Sequence, residues 1–363
     1  MTPAVRWLLV LVVAALVLAP TAVLHLLPVQ GSSIGAAALA DKVREAGTLA
    51  WSGEVATRGA LQVPVSDSFS GVARLFGDST TLRVWWDDEK HWRVDRTRAS
   101  GETDLFRDGD DTVKWSYESE KATFTPYSNV RLPDEADVLP PTLAARLLSG
   151  ARAGELSRLP SRRIAGHDSA GLRLVPSDTR STIARADIWA DHESGLPTRV
   201  EVYADKRTQP VLTTEATSLH VGAPDAKTLR FRTPAGVRID HSRALDEAAG
   251  ANAFAPFQPP EKVAGLARRG SPEDLGAVGI YGRGPTALIA FPLRTFVASE
   301  LRDQLLRSKR SHENGSGVGI EVGPLSVLLT RGDHADYLLA GTVTPKTLVK
   351  ASVDVRDGVR LSR

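Results

Sequence analysis

The feature that most constrains the fold is a long series of short segments in which apolar and polar side chains alternate. Alternation with a period of two is typical of strands that have one buried and one solvated face. Turn-forming groups such as Ser100-Gly101 and Asp108-Gly109-Asp110 separate the segments, as expected for hairpins. Five of the seven Trp lie between Trp85 and Trp189. We therefore predict a curved antiparallel sheet with one aromatic, apolar face.

We expect that apolar face to form a cavity wide enough for an acyl chain. Its predicted members on the strands are Trp51, Val55, Leu82, Val84, Trp86, Trp92, Val94, Leu105, Val113, Trp115, Tyr117 and Phe124. A helix over residues 142–149, following Pro140 and Pro141, adds Leu143 and Leu147 and covers the concave side. Charged residues are expected on the opposite face, among them Arg83, Arg93 and Lys114. Each aromatic position also fits a simpler interpretation, which is core packing against this helix.

Composition narrows the class of protein. A chain of 363 residues is long enough for two folded domains and a membrane segment. The net charge is +2 with both signs interspersed, so no basic stripe points to nucleic acid. The absence of Cys excludes disulfides, thiolate metal sites and a lipid-modified Cys. The abundance of Arg, Ala, Gly and Val is typical of a high-GC bacterium such as an actinobacterium.

The N-terminal segment fits two interpretations. Arg6 precedes an apolar run to Leu27, which is close to the roughly 20 residues that cross a bilayer. An uncleaved signal anchor over residues 1–30 is favoured, because the small-residue site at Ala38-Leu39-Ala40 lies too far downstream for a cleaved signal peptide. The bulk of a single-pass protein would then be extracytoplasmic. Cleavage would instead give a secreted protein.

Two domains are expected after this segment. The first covers residues 34–235 and begins with a helix over residues 34–46. A Pro- and Ala-rich linker spans residues 236–262. The second domain, residues 263–363, reads as a small α+β unit with five strands and two helices, the last of them capped by Thr344 and Pro345. Residues 309–317 are predicted to be a polar loop.

Motifs for catalysis and metal binding are weak. The G-x-S-x-G motif of a nucleophile elbow occurs at Gly31-Ser32-Ser33-Ile34-Gly35, but it follows the predicted membrane segment instead of a core strand. Gly279, Gly282 and Gly284 predict a hairpin turn and not a phosphate cradle. Asp108, Asp110 and Asp111 are interpreted as an acidic turn, because a calcium loop needs further oxygen ligands. No enzyme activity, cofactor or metal is predicted, and a hydrolase remains only a third hypothesis.

Three segments resemble the LolA/LolB-like lipoprotein-sorting superfamily, and within it the two-domain RseB/MucB-like proteins that regulate sigma factors. They are residues 106–117 (FRDGDDTVKWSY), 189–202 (WADHESGLPTRVEV) and 337–348 (YLLAGTVTPKTL). The resemblance implies a mainly β (α+β) fold, in which an antiparallel half-barrel with a helical plug precedes a smaller α+β domain. It also implies a cavity for lipid or lipoprotein acyl chains.

The predicted function is therefore a non-enzymatic protein of the cell envelope that binds an acyl chain as a sensor or regulator of RseB type. The resemblance implies a further partner, a membrane-bound anti-sigma factor or other membrane protein, near the domain interface. Two alternatives remain: a lipid or lipoprotein carrier or receptor, and a module that binds wall glycan or protein through the Trp85 side of the sheet. A retained membrane helix and the missing lipid-modified Cys argue against a diffusing shuttle.

Overall fold

The computed structural model describes residues 29–61, 75–98, 101–128, 131–241, 257–270, 275–332 and 335–361. The predicted signal anchor, residues 1–30, lies almost entirely outside these residues. Among the described helices, none combines the length and the apolar character that a membrane crossing requires. We call residues 29–241 the N-terminal unit and residues 257–361 the C-terminal unit.

The N-terminal unit is built on a large open sheet, as predicted. Its described strands are β1 (Trp51–Gly59), β2 (Ser79–Asp88), β3 (His91–Arg98), β4 (Gly101–Asp108), β5 (Asp111–Ser116), β6 (Lys121–Pro126), β7 (Leu156–Ile164), β8 (His167–Leu174), β9 (Ile183–Asp191), β10 (Pro197–Ala204), β11 (Leu212–Val221) and β12 (Arg238–His241). They are ordered β12-β6-β5-β4-β3-β2-β1-β11-β10-β9-β8-β7. Neighbours pair antiparallel except β12, which is parallel to β6. The arrangement is consistent with a half-barrel.

Two helices cover one face of this sheet, which we call the inner face. The first, α1 (Ala36–Glu45), agrees with the helix predicted over residues 34–46, and α2 (Pro140–Leu148) begins at the predicted Pro pair. Leu39 and Val43 of α1 and Leu147 of α2 pack with Leu172 and Ile188 from the sheet. The inner face is therefore an apolar core over β7–β11.

The segment after β11 crosses to the opposite face, which we call the outer face. It forms the short helix α3 (Ala226–Leu229) and then β12. Phe231 and Val237 pack on Phe106, Val113 and Trp115 of the sheet. We call residues 222–241 the outer strap. Part of the stretch expected to be a linker thus pairs with the first sheet.

The C-terminal unit is a second sheet with a helix on each face. Its strands include β14 (Lys262–Val263), β15 (Leu266–Arg269), β16 (Gly279–Arg283), β17 (Thr286–Leu293), β18 (Ser311–Asn314), β19 (Gly317–Val322), β20 (Leu325–Arg331) and β21 (Asp336–Gly341), whereas β13 (Phe257–Gln258) pairs with β22 (Arg360–Leu361). Helix α4 (Thr295–Leu306) packs against β18, β19 and β21, and α5 (Pro345–Gly358) packs against β14, β20 and β21. Thr344 caps α5 by accepting a hydrogen bond from the Thr347 amide. The polar loop predicted over residues 309–317 is wrong, because β18 pairs there with β19.

The two units share one continuous core. Leu61 of the N-terminal unit belongs to the same apolar cluster as Val322 and Leu329. Gly323 has φ +59°, a left-handed conformation that favours glycine. A Cβ there would lie 2.2 Å from the end of the Leu61 side chain, which would have to shift. Backbone contacts join the units as well, since Thr344 N donates to the Arg180 carbonyl at 2.9 Å.

Candidate ligand-binding face

The predicted apolar face is split between the two sides of the sheet. Directly paired residues on neighbouring strands point to the same side, and the register pairs Val84 with Val94 and Val94 with Leu105. Leu105 then pairs with Lys114, whereas Val113 pairs with Phe106. The expectation that all the strand positions share one face is therefore wrong, as is the placement of Lys114 opposite them. Trp51, Val55, Leu82, Val84, Trp86, Trp92, Val94 and Leu105 lie on the inner face, and Val113, Trp115 and Phe124 lie on the outer face.

A row of three Trp crosses the inner face. Trp51 pairs with Trp86, and Trp86 pairs with Trp92. The Trp86 and Trp92 rings are stacked, with centroids 5.6 Å apart and planes 1° apart. Trp51 and Trp92 are buried, while Trp86 is half-buried. The partly open member of the row is therefore its middle one, Trp86, between two buried rings.

The chain's own side chains cover much of this face. Leu75, together with Val138 and Leu139 just before α2, packs on the cluster that contains Trp51, Val84 and the other buried inner-face positions. Half-buried apolar residues surround the same cluster; they are Leu49, Phe76, Trp86, Leu105 and Leu219. The inner face is thus a packed apolar surface with an incompletely covered rim.

The outer-face candidates form a separate aromatic cluster beneath the strap. Phe231 makes ring contacts with Phe106, Trp115 and Phe124 at centroid distances of 5.4 to 6.0 Å. Tyr117 packs edge-on against Trp115 but is 48% exposed. These positions are thus core, as in the alternative interpretation, but they pack against the strap and not against the helix that interpretation named. On α2, Leu147 is buried and Leu143 is half-buried in the inner core.

Positive charge adjoins the apolar rim. Lys114 is exposed directly opposite Leu105, and Arg107 lies on the same face of β4. The Arg107 guanidinium stacks over the Tyr127 ring, 3.3 Å from its centroid. Within the described residues, neither cation has a carboxylate at ion-pair distance. Alternation in the sequence did not reveal this feature, because it predicted Lys114 on the other face.

A cluster of carboxylates is buried on the outer face. Asp95 and Asp104 pair across β3 and β4, and their ligand oxygens lie with that of Glu102 within 4.8 Å of one another. Arg93 donates to both Asp95, at 2.6 and 2.8 Å, and Asp104, at 2.9 Å. Burial, and then repulsion from Asp95, raises the pKa of Asp104 to about 7. Arg83 also contacts Asp95 and Glu102, so guanidinium groups already occupy the positions that a cation would take.

The acidic turn and the Gly-rich turn agree with their structural interpretations. Gly109 adopts φ +67° in the turn between β4 and β5. Gly284 adopts φ +48° in the hairpin between β16 and β17. Ser33 lies in the irregular segment of residues 29–35, directly before α1. The hairpin at residues 189–202 forms β9 and β10, as predicted.

Comparisons with known proteins found similarity among solved structures. No protein-family model matches the chain, and no curated protein matches its sequence. Among solved structures, the Pseudomonas aeruginosa MucA/MucB complex has a chain 16% identical to this one, with a TM-score of 0.49 over 90% of this chain and 98% of that one. A LolA superfamily protein from Nitrosomonas europaea is 14% identical, with a TM-score of 0.26 over 55% of this chain and 99% of that one. These neighbours are the LolA-like and RseB/MucB-like proteins that the sequence resembles. At these identities the likeness describes the fold alone.

Proposed function

We propose that the protein is a non-enzymatic envelope protein whose inner face binds the acyl chain of a lipid or lipoprotein. The observation that carries the proposal is the stacked Trp86–Trp92 pair, with Trp86 and Leu105 left half-buried at the rim of an apolar cluster. Of the residues predicted for the cavity, those on the inner face remain candidates for ligand contact. Those beneath the strap are assigned to packing.

The free energy of binding comes from burial of hydrocarbon. Each methylene removed from water contributes about 0.8 kcal/mol. Because Leu75, Val138 and Leu139 already cover the buried part of the face, a chain that enters beyond the rim displaces them. Lys114 and Arg107 lie beside the apolar rim, where they suit an anionic head group of the same amphiphile.

A regulatory step follows from this displacement. Val138 and Leu139 lead directly into α2, and the chain after α2 contacts the C-terminal unit, where Arg283 donates to the Gly150 carbonyl at 2.8 Å. Ligand entry thus alters the contact between the units, near which a membrane-bound anti-sigma factor or other membrane protein docks. MucB has been solved in complex with MucA. The N-terminal segment serves as the membrane anchor in this proposal.

Adjacent Trp residues on opposite faces provide a matched test. Delipidated protein is titrated with 11-(dansylamino)undecanoic acid, and dansyl fluorescence reports binding. Trp86→Ala should weaken binding about tenfold, equivalent to about 1.4 kcal/mol, whereas Trp85→Ala on the outer face should change it less than about twofold. Leu105→Ser is a second inner-face variant at a half-buried position.

Two results contradict the proposal. One is an absence of probe binding together with an absence of amphiphile in organic extracts of the purified protein, analysed by mass spectrometry. The other is an equal loss of binding in Trp86→Ala and Trp85→Ala. Quenching of Trp fluorescence by wall glycan, abolished by Trp85→Ala, would instead favour the glycan-binding alternative.

A further inference from the structure

The C-terminal unit contains a polar cleft that the proposed acyl-chain function does not use. It has a volume of about 500 Å³, within the range of small-molecule sites. Its walls come from the first half of α4, the β18–β19 turn, the adjoining ends of β20 and β21, and α5. The two helices lie on opposite faces of the sheet. The cleft therefore forms at one end of the sheet, where both helices approach the turns.

Three Arg residues line this cleft. Arg302 of α4 is paired with Glu313 of β18, which leaves its charge compensated. Arg331, at the end of β20, and Arg356, on α5, are exposed. Neither of these two has a carboxylate at ion-pair distance anywhere in the described ranges.

The remaining lining groups favour an anion over a cation. Thr295 presents a hydroxyl group from the first turn of α4, where the helix dipole adds positive potential. The hydroxyl of Ser299 instead donates to the Thr295 carbonyl at 2.8 Å. Asp336 is the other carboxylate among the described lining residues besides Glu313. Those described residues, three Arg and two acidic residues, give a net formal charge of +1.

We infer that this cleft is a second binding site, which takes a small polyanion with at least two phosphate or carboxylate groups. Arg331 and Arg356 each present the planar, forked donors that bind such groups in a bidentate manner. The Thr295 hydroxyl donates to one of the remaining oxygens. The negative charge of Asp336 repels an anionic ligand and lowers the affinity of the cleft for it.

Calorimetric titration of the full chain with pyrophosphate, and separately with citrate, tests this site at low ionic strength. The double variant Arg331→Gln/Arg356→Gln should lose at least about tenfold in affinity. Arg307→Gln, which removes an exposed guanidinium at the end of α4 outside the cleft, should retain wild-type affinity. Asp336→Asn should bind more tightly than the wild type, a gain that loss of structure cannot produce.

Binding of pyrophosphate alone identifies a phosphate-bearing ligand, and binding of citrate alone identifies a carboxylate-bearing one. The inference is overturned if neither anion binds, if Arg307→Gln loses as much affinity as the double variant, or if Asp336→Asn weakens binding. Fatty-acid probe binding should be unchanged in the double variant, so this site and the acyl-chain proposal can fail independently.

Discussion

At the scale of single residues, the buried carboxylates Asp95 and Asp104 are the most unusual feature of the outer face. Asp104 is 1% exposed, and its Oδ1 atom accepts no hydrogen bond within the described residues. Desolvation raises the pKa of Asp95 as well. One guanidinium, that of Arg93, donates to both carboxyl groups, so the pair is most stable when it carries a single negative charge.

Stability should therefore fall as the pH rises toward neutrality. The folded-state pKa of Asp104, about 7, exceeds its ordinary value of 3.8. The protonated carboxyl of Asp104 therefore stabilises the folded state. This stabilisation is complete at pH values below the ordinary pKa and is lost as the pH rises past 7. Between pH 5 and pH 8 we expect the loss of this Asp104 contribution alone to lower the free energy of unfolding, measured in urea, by about 2 kcal/mol.

Asp104→Asn mimics the neutral acid and should remove the part of this pH dependence that Asp104 contributes. Burial, and then repulsion from Asp137, also raises the pKa of Asp134 to about 7, so the part due to Asp134 should remain. Asp108→Asn provides the control, because Asp108 is an exposed turn residue on the same strand and its replacement should leave the slope intact. An unchanged slope in Asp104→Asn would show that the pair does not share a proton near neutral pH.

At the scale of elements, the outer strap explains how the sheet buries apolar residues on both faces. It leaves β11 in the middle of the sheet and reaches β6 near its edge, where Arg238–His241 adds the parallel strand β12. The Phe231 ring lies among three aromatic rings of the sheet. Aromatic packing at Phe231 therefore fixes the strap over β4–β6.

Phe231→Ala should detach the strap. We expect a loss of about 2 kcal/mol in the free energy of unfolding, below the range for a fully buried Phe because Phe231 is half-buried. Hydrogen exchange should become faster over residues 226–241 and in β6, and Trp115 emission should shift to longer wavelength. Ile239→Ala, at an exposed position of the strap, is the control. Unchanged exchange in Phe231→Ala would mean that other contacts hold the strap.

Local signals were sufficient to predict many elements. Pro140 and Pro141 mark the start of α2, Thr344 and Pro345 mark that of α5, and Gly195 marks the turn between β9 and β10. Each signal depends on a backbone preference of a few adjacent residues.

The division of the candidate site between two faces could not be predicted in the same way. Leu105 and Phe106 are adjacent and both apolar, so alternation within β4 does not say which one faces inward. The answer depends on the register across three strands, which is a non-local property. The strap also buries Val113 and Trp115 on the outer face, and Phe231 lies more than a hundred residues further along the chain.

At the scale of the whole molecule, a buried ion pair joins the two units. Arg283 of β16 donates to both oxygens of Glu155 at 2.7 Å, and the Glu155 side chain is only 3% exposed. Ser177 donates to the same carboxylate from its hydroxyl and its amide, at 2.6 and 2.8 Å. These hydrogen bonds, above all those from Arg283, hold the pKa of Glu155 well below its ordinary value. The contact therefore stabilises the ionised form of Glu155.

Arg283→Ala should loosen the junction between the units by about 2 kcal/mol, less than for a fully buried pair because Arg283 is 30% exposed. Urea unfolding, followed by hydrogen exchange in each unit, should change from one transition to two. Since the pKa of Glu155 is lowered, its stabilisation is present above the ordinary value of 4.5 and declines as the pH falls. The difference in unfolding free energy between wild type and Arg283→Ala should therefore shrink in acid.

The control is Arg269→Ala, which removes a single contact with Ser149 and should still unfold in one transition. If Arg283→Ala also unfolds in one transition, the shared apolar core alone couples the units.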